Sequence, residues 1–151
     1  MNRETLISEL IRDENNILKP YLDCCGKYWR LCTCQNKGKL TIGIGRNLDD
    51  VGISLEESSH LCNNNIDQVS QELDRLLPWW KDLDEVRQRV LVNMAFNMGI
   101  SKLIDNNPHM LAACQRRDYQ RASDEMLEGP WVKQVGDRAR RLAQMMRTGL
   151  S

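Results

Sequence analysis

Glu14 is the residue whose position most clearly indicates chemistry. It lies four residues after Leu10 and three after Ile11, so on a helix it faces the same side as these aliphatic side chains. A carboxylate on an apolar face loses water, and this favours the protonated form that a general acid needs. The alternative is a solvated glutamate at a helix end, where charged residues are usually found.

A glycine-rich segment at residues 40–45 could present a hydroxyl beside open backbone. Its aliphatic residues alternate with Thr41, Gly43 and Gly45. The threonine face of such a strand has few side-chain atoms, so a bulky ligand could approach the backbone there. The alternative is that the glycines only allow a twisted hairpin.

Two local elements must position these residues. Residues 2–12 are predicted to form a helix, with Asn2 as its N-cap. Strands are predicted at 28–34 and 39–45, and residues 35–38 between them have turn composition. These patterns predict a β-hairpin after the first helix.

Only helical patterns follow the hairpin. Ser54 and Glu57 form a capping box at the start of a long predicted helix, about 54–77. A strongly apolar helix is predicted to end at Gly99. The remaining helix starts are predicted at Pro108, Asp118, Pro130 and Asp137, with a stop at Gly149. The fold class is therefore predicted as α+β, mostly α.

Charge and hydropathy argue against two classes of protein. Lys+Arg and Asp+Glu both number 21, so the formal net charge is zero, which argues against a dedicated nucleic-acid binder. The sequence contains no run of about 18 or more apolar residues, and its start does not resemble a signal peptide. We therefore expect a soluble protein made in the cytoplasm, without membrane insertion.

Four of the six cysteines are crowded together, at Cys24, Cys25, Cys32 and Cys34. Cytosolic synthesis favours free thiols, whereas disulfides would form in an oxidising space. Zinc is the least favoured alternative because the spacing contains no CxxC pair. We expect no cofactor and no metal.

These residues together resemble the T-even-type phage lysozymes, the endolysins of glycoside hydrolase family 24, over nearly the whole chain. Glu14 ends an Arg-Asp-Glu segment similar to the one that carries the family's catalytic glutamate. Asp23 follows after eight intervening residues, which is the family's spacing to its second catalytic position. Residues 41–45 are similar to the family's signature, and 92–99 and 131–149 resemble its core helix and closing pattern.

The resemblance implies an inverting muramidase that hydrolyses the β-1,4 bond between N-acetylmuramic acid and N-acetylglucosamine in peptidoglycan. It implies that Glu14 is the general acid, that Asp23 assists the attack of water, and that Thr41 positions this water. Arg138 resembles the arginine that contacts the catalytic glutamate. The expected substrate-binding residues are Phe96, Asn97, Asn47, Asn107 and Glu125.

The implied fold is a single lysozyme-like domain over residues 1–151. A small N-terminal lobe, about 13–53, would contain the hairpin, and the helix at about 54–77 would connect it to a helical lobe at about 78–151. Helix 2–12 would pack on that C-terminal lobe.

The resemblance also implies a biological setting. The partners would be peptidoglycan glycan strands, reached from the host cytoplasm after a holin permeabilises the membrane. A monomer would then act on the wall in the periplasm and lyse the host at phage release. The alternatives are a non-catalytic peptidoglycan-binding domain and a lytic transglycosylase.

Two features depart from the family pattern. Seventeen residues separate Asp23 from Thr41, where the family has a much shorter connection. This enlarged segment contains the cysteine cluster and Thr33, a competitor for the threonine position. Arg46 stands where the family usually has histidine, so the contacts that fix this loop must differ.

Overall fold

The computed structural model describes the backbone of residues 1–151 and every side chain except that of Pro130. The fold is α+β and mostly α, as the sequence predicts. In chain order the elements are α1 (Arg3–Glu14), β1 (Ile17–Leu22), β2 (Lys27–Tyr28), a 3-10 turn (Trp29–Leu31), β3 (Leu40–Gly43), β4 (Arg46–Asn47), α2 (Leu55–Leu76), a 3-10 helix (Pro78–Asp82), α3 (Glu85–Met98), α4 (Ile100–Asn106), α5 (Pro108–Gln115), α6 (Tyr119–Glu128), α7 (Pro130–Val135) and α8 (Asp137–Thr148).

The first helix begins where its cap predicts and is slightly longer than expected. The Asn2 side chain accepts a hydrogen bond from the backbone N–H of Thr5, and Glu14 is the last helical residue. Along its described length, α1 buries none of its side chains, and Glu14 is exposed. The structure therefore agrees with the alternative of a solvated glutamate at a helix end, and the interpretation that Glu14 loses water on an apolar face is wrong. A terminal residue has no following turn to cover it, and the chain leaves the helix at Asn15.

The strands of the described chain form an antiparallel sheet in the order β2-β1-β3-β4. The residue pairs Tyr21–Thr41 and Leu22–Leu40 join β1 to β3. The register shifts between Ile17 and Tyr21, where Pro20 has no N–H to donate to the ladder.

The predicted pairing of residues 28–34 with 39–45 is wrong. Strand β2 ends at Tyr28, a 3-10 turn follows, and β3 pairs with β1 instead. The side chains of Trp29 and Leu31 are exposed, so burial does not favour an extended strand there. Strand β3 also pairs directly with β4, which lies beyond the predicted hairpin and which the sequence did not predict.

The chain divides into two compact units, Met1–Ser59 and His60–Ser151. Helix α2 has 22 residues and begins with the predicted capping box. The Ser54 hydroxyl oxygen accepts from the Glu57 N–H at 3.1 Å, and Glu57 Oε2 accepts from the Ser54 N–H at 2.7 Å. The lobe boundaries and the packing of the first helix stay predictions.

The helices of the second unit enclose a continuous apolar core. The predicted starts at Asp118 and Asp137 and the stops at Gly99 and Gly149 are confirmed. The fully buried side chains of this core include Leu73, Val90, Leu91, Met94, Leu103, Met110, Cys114, Met126, Leu142 and Met146. Burial raises the pKa of the Cys114 thiol to about 12, so this cysteine is an unreactive core residue.

Arg46 links the turn after β3 to the start of α2. Its Nε donates to the Gly52 carbonyl at 2.8 Å, and its Nη2 contacts Glu57 Oε2 at 2.7 Å. The Ser54 backbone N–H, followed by the charge of Arg46, lowers the pKa of Glu57 below its ordinary value of 4.5.

No helix in the described chain combines the length and apolarity needed to span a bilayer.

We predict that Glu57→Gln destabilises the first unit in a pH-dependent way. Because the folded state lowers this pKa, its contribution is fully present above 4.5 and is lost as the pH falls through the folded pKa. Melting temperatures measured from neutral pH downwards should therefore converge with those of the unsubstituted chain in acid. Glu56→Gln, one residue away on the same turn, is the control and should change little. A difference that is constant across pH would contradict the prediction.

Candidate active site

The Glu14 carboxylate lies against the glycine turn between β3 and β4. A Cβ atom added to Gly45 would lie 3.9 Å from Glu14 Oε2, and nothing else described lies within 4 Å of it. Gly45 has a φ of +71°, which a residue with a side chain rarely adopts. The turn therefore gives the carboxylate open space on its glycine side.

Asp23 is fixed at the end of β1 by the backbone of Lys39. The Asp23 N–H donates to the Lys39 carbonyl at 3.1 Å, and the Lys39 N–H donates to Asp23 Oδ1 at 2.8 Å. A Cβ on Gly38 would lie 1.8 Å from Asp23 Oδ1 and 2.6 Å from the Cys24 nitrogen. Only glycine at position 38 allows the carboxylate to reach this backbone donor.

Thr41 is held by the same residue. Its hydroxyl donates to the Lys39 carbonyl at 3.1 Å. The side chain is only 5% exposed, so the predicted open face at Thr41 is wrong. Thr41 is paired with Tyr21 on one side and Asn47 on the other, and its central place in the sheet covers it.

Asn47 is used within its own turn. Its Nδ2 donates to Asp50 Oδ2 at 2.9 Å, and its Oδ1 accepts from the Asp50 N–H at 3.0 Å. The Lys39 ammonium also contacts Asp50, at 2.7 Å, and this hydrogen bond lowers the pKa of Asp50. The contacts make Asn47 a turn residue, and its role in substrate binding stays a prediction.

In the second unit, Phe96 and Arg138 line the same largely apolar cavity of about 490 Å³. Arg138 donates from Nε and Nη2 to Asn93 Oδ1, at 2.9 and 2.7 Å, and joins α8 to α3. Phe96 is 44% exposed. Sequence reasoning did not select Asn93, although its spacing of four from Asn97 places both on one face of α3. The expected contact of Arg138 with Glu14 stays a prediction.

Asn97 and Asn107 line a second, polar cavity of about 360 Å³. Asn97 Oδ1 accepts from Trp131 Nε1 at 3.0 Å, and Asn107 donates to the Leu103 carbonyl at 3.2 Å. Asn107 also lines a smaller depression of about 200 Å³ with Glu125, which is paired with Arg121. The structure thus divides the expected substrate-binding residues of this unit among three surfaces.

The cysteine sulfurs also converge in the first unit. Among the described side chains, the group whose geometry could hold a metal ion is Cys24, Cys25, Cys32 and Cys34. Their ligand atoms all lie within 4.8 Å of one another.

Comparison with known proteins gives a consistent family assignment. A family model described as "Phage lysozyme" matches residues 18–147. The matched range begins after Glu14 and includes Asp23 and Thr41.

Two of the relatives that the chain resembles match it over 100 residues, or 64% of its length. The chain is 28% identical to the pre-baseplate central spike protein Gp5 of Enterobacteria phage T4, over 17% of that protein. It is 24% identical to probable T4-type lysozyme 1 of Dictyostelium discoideum, over 58% of that protein. The chain therefore covers less than two thirds of either relative's length.

We predict that Gly38→Ala displaces Asp23 and destabilises the first unit. The added methyl group would collide with Asp23 Oδ1 and the Cys24 backbone, and forced overpacking of this kind costs about 1–3 kcal/mol. Urea unfolding measures the loss. Gly129→Ala is the matched control, since an added Cβ there meets nothing described within 4 Å, and it should change stability by less than about 0.5 kcal/mol. Equal stabilities of the two variants would refute the steric argument.

We predict that two substitutions separate the structural and binding roles of Asn97. Asn97→Ala leaves the Trp131 indole N–H without its acceptor, at a cost of about 1–3 kcal/mol. Asn97→Asp keeps the acceptor oxygen but removes the Nδ2 donor that a sugar could use. Unfolding and glycan-binding measurements should find the aspartate variant stable but weaker in binding, and the alanine variant impaired in both. Unchanged glycan binding by Asn97→Asp would exclude the donor role.

Proposed function

The chain belongs to the phage lysozyme family, and we propose that it is a muramidase. In this proposal it hydrolyses the β-1,4 bond between N-acetylmuramic acid and N-acetylglucosamine in peptidoglycan. The main support is the backbone of Lys39, which binds Asp23 and Thr41 together. A carboxylate and a hydroxyl fixed to the backbone of one residue form a suitable site for an ordered water.

The proposed reaction uses the two carboxylates in different roles. Glu14 donates a proton to the leaving glycosidic oxygen. Asp23 accepts a proton from the attacking water, whose oxygen bonds to the anomeric carbon on the opposite face and inverts its configuration. This role needs a free carboxylate oxygen. Asp23 Oδ1 is engaged by Lys39, whereas Oδ2 accepts no hydrogen bond from the described residues.

Thr41 is suited to positioning this water from a fixed point. Its hydroxyl hydrogen is engaged by the Lys39 carbonyl, so its oxygen presents lone pairs as an acceptor. The side chain is buried, and its hydrogen bond to Lys39 holds it in place. Pre-positioning of the reacting groups lowers the entropic part of the barrier.

The second unit supplies groups suited to binding sugars. The half-exposed ring of Phe96 offers an apolar surface for a sugar face, and Asn97 retains its Nδ2 donor. Asn107 and Glu125 would add polar contacts. The hydrogen bonds from Arg138 to Asn93 would maintain the shape of the cavity that Phe96 lines.

We further propose that the enzyme is an endolysin that lyses a bacterial host when phage are released. It would be made in the host cytoplasm as a monomer and would reach the wall through a membrane opened by a holin. A non-catalytic wall-binding domain is the second candidate, favoured by the exposure of Glu14.

Glu14→Gln tests the hydrolase directly. We predict that it lowers the release of soluble muropeptides from purified peptidoglycan by about 10² or more, because the general acid is lost. Glu9→Gln, an exposed glutamate on the same helix, is the matched control and should retain activity. Mass spectrometry of the products should find reducing ends.

Three outcomes would contradict parts of this proposal. Full activity of Glu14→Gln would exclude Glu14 as the acid. Anhydro-sugar ends would identify a lytic transglycosylase, which needs no water-directing carboxylate. Tight wall binding without release by the folded unsubstituted chain would identify a binding domain.

A further inference from the structure

We propose that Cys24, Cys25, Cys32 and Cys34 bind one Zn²⁺ ion in a tetrahedral structural site. The ion would fold the enlarged segment between Asp23 and Thr41. This proposal does not depend on the hydrolase proposal, because metal content can be measured without an activity assay.

The distances between the sulfurs agree with tetrahedral zinc. A Zn–S bond of about 2.3 Å implies a separation of about 3.8 Å between sulfurs at the corners of a tetrahedron. Cys24 Sγ lies 3.8 Å from Cys25 Sγ and 3.7 Å from Cys32 Sγ. All four sulfurs lie within 4.8 Å of one another. One ion could therefore bind all four with small side-chain adjustments.

The backbone brings the two cysteine pairs together for different reasons. Cys24 and Cys25 lie in the turn after β1, where the N–H groups of Cys25 and Gly26 both donate to the Leu22 carbonyl. Gly26 has a φ of +64°, which closes this turn. Cys32 has extended backbone angles, and residues two apart on an extended chain face the same side, so Cys34 joins it.

The enlarged segment has no apolar core of its own. Residues 24–39 are described in full, and none of their side chains is buried. The regular structure within them is the two-residue strand β2 and one 3-10 turn. Small units that cannot bury enough apolar surface are commonly stabilised by a metal or by disulfides. The sulfur cluster is the feature that could supply this stability.

Charge around the cluster favours a metal thiolate. Residues 24–38 include Lys27, Arg30 and Lys37 and no acidic residue. A zinc ion with four thiolates carries two net negative charges, which these three cations would offset.

Two disulfides and a zinc site require different arrangements of the four sulfurs. Two disulfides would place the sulfurs in two separate bonded pairs. Here Cys24 Sγ contacts both Cys25 and Cys32, and the four sulfurs all lie within 4.8 Å of one another. The fold therefore favours zinc, which the sequence spacing alone did not.

Metal analysis of the full chain tests the proposal. Protein purified under reducing conditions from zinc-supplemented medium should contain about one zinc per chain. Serine substitution at Cys24, Cys25, Cys32 or Cys34 should remove most of this zinc after dialysis. Cys62→Ser is the matched control, since Cys62 is an exposed cysteine outside the cluster, and it should retain the metal.

Hydrogen exchange of the unsubstituted chain provides a second measurement if the variants fail to fold. Removing zinc with a strong chelator should speed amide exchange at residues 20–41 and leave α3 unchanged. Zinc-independent exchange at residues 20–41 would overturn the structural role.

Four further results would overturn the assignment. The first is a reduced chain that neither contains zinc nor takes up Zn²⁺ or Co²⁺ on titration, and the second is a chain whose mass shows two disulfides in place of four thiols. The third is iron bound instead of zinc. The fourth is a loss of zinc in Cys62→Ser equal to the loss in the cluster variants.

Discussion

The pairing of Asp23 with Lys39 is the interaction on which the first unit depends. The Lys39 N–H binds the Asp23 carboxylate, and its carbonyl accepts from the Asp23 N–H and the Thr41 hydroxyl. These bonds continue the β1–β3 ladder beyond its last strand pair, Leu22 with Leu40. They close the enlarged segment and orient both residues at its ends. The absence of a side chain at Gly38 makes this pairing sterically possible.

This constraint explains how the sheet accommodates the long segment between Asp23 and Thr41. Hydrogen bonds join Asp23 to Lys39 at the base of this segment. The number of residues between them can therefore increase without separating Asp23 from Thr41. Loop closure becomes only slowly more costly with length, by about 0.6 kcal/mol for each doubling. The greater difficulty is ordering a segment that buries no side chain. A metal bound near the same base would stabilise this segment and Asp23 together, since Cys24 is the next residue.

Local sequence signals were enough to predict where the helices begin. The strand pairing and the surroundings of the candidate site residues were harder to predict, because they depend on contacts between residues distant in sequence. Asn2, Ser54 and Asp118 mark helix starts because a cap needs only the neighbouring backbone. The partner of β3 depends on residues about twenty positions earlier, and the pattern in 28–34 wrongly suggested a nearer one. The burial of Thr41 likewise depends on tertiary structure, because strands on both sides cover it. The cysteine cluster could not be predicted from a CxxC pair, because the sequence contains none. The turn after β1 and the extended chain at Cys32 bring the four cysteines together instead.

The candidate residues of the two units are held by different physical means. In the first unit, backbone groups fix Asp23 and Thr41, so their geometry is sensitive to strand register and to glycine positions. In the second unit, hydrogen bonds between side chains fix the candidate residues. Asn93 accepts from Arg138 and Asn97 accepts from Trp131, and both asparagines lie on one face of α3. Each asparagine uses its oxygen for the fold and keeps its N–H donors for other partners. A substitution that preserves the oxygen can therefore change ligand binding in the second unit without changing stability, whereas strand register couples the two properties in the first.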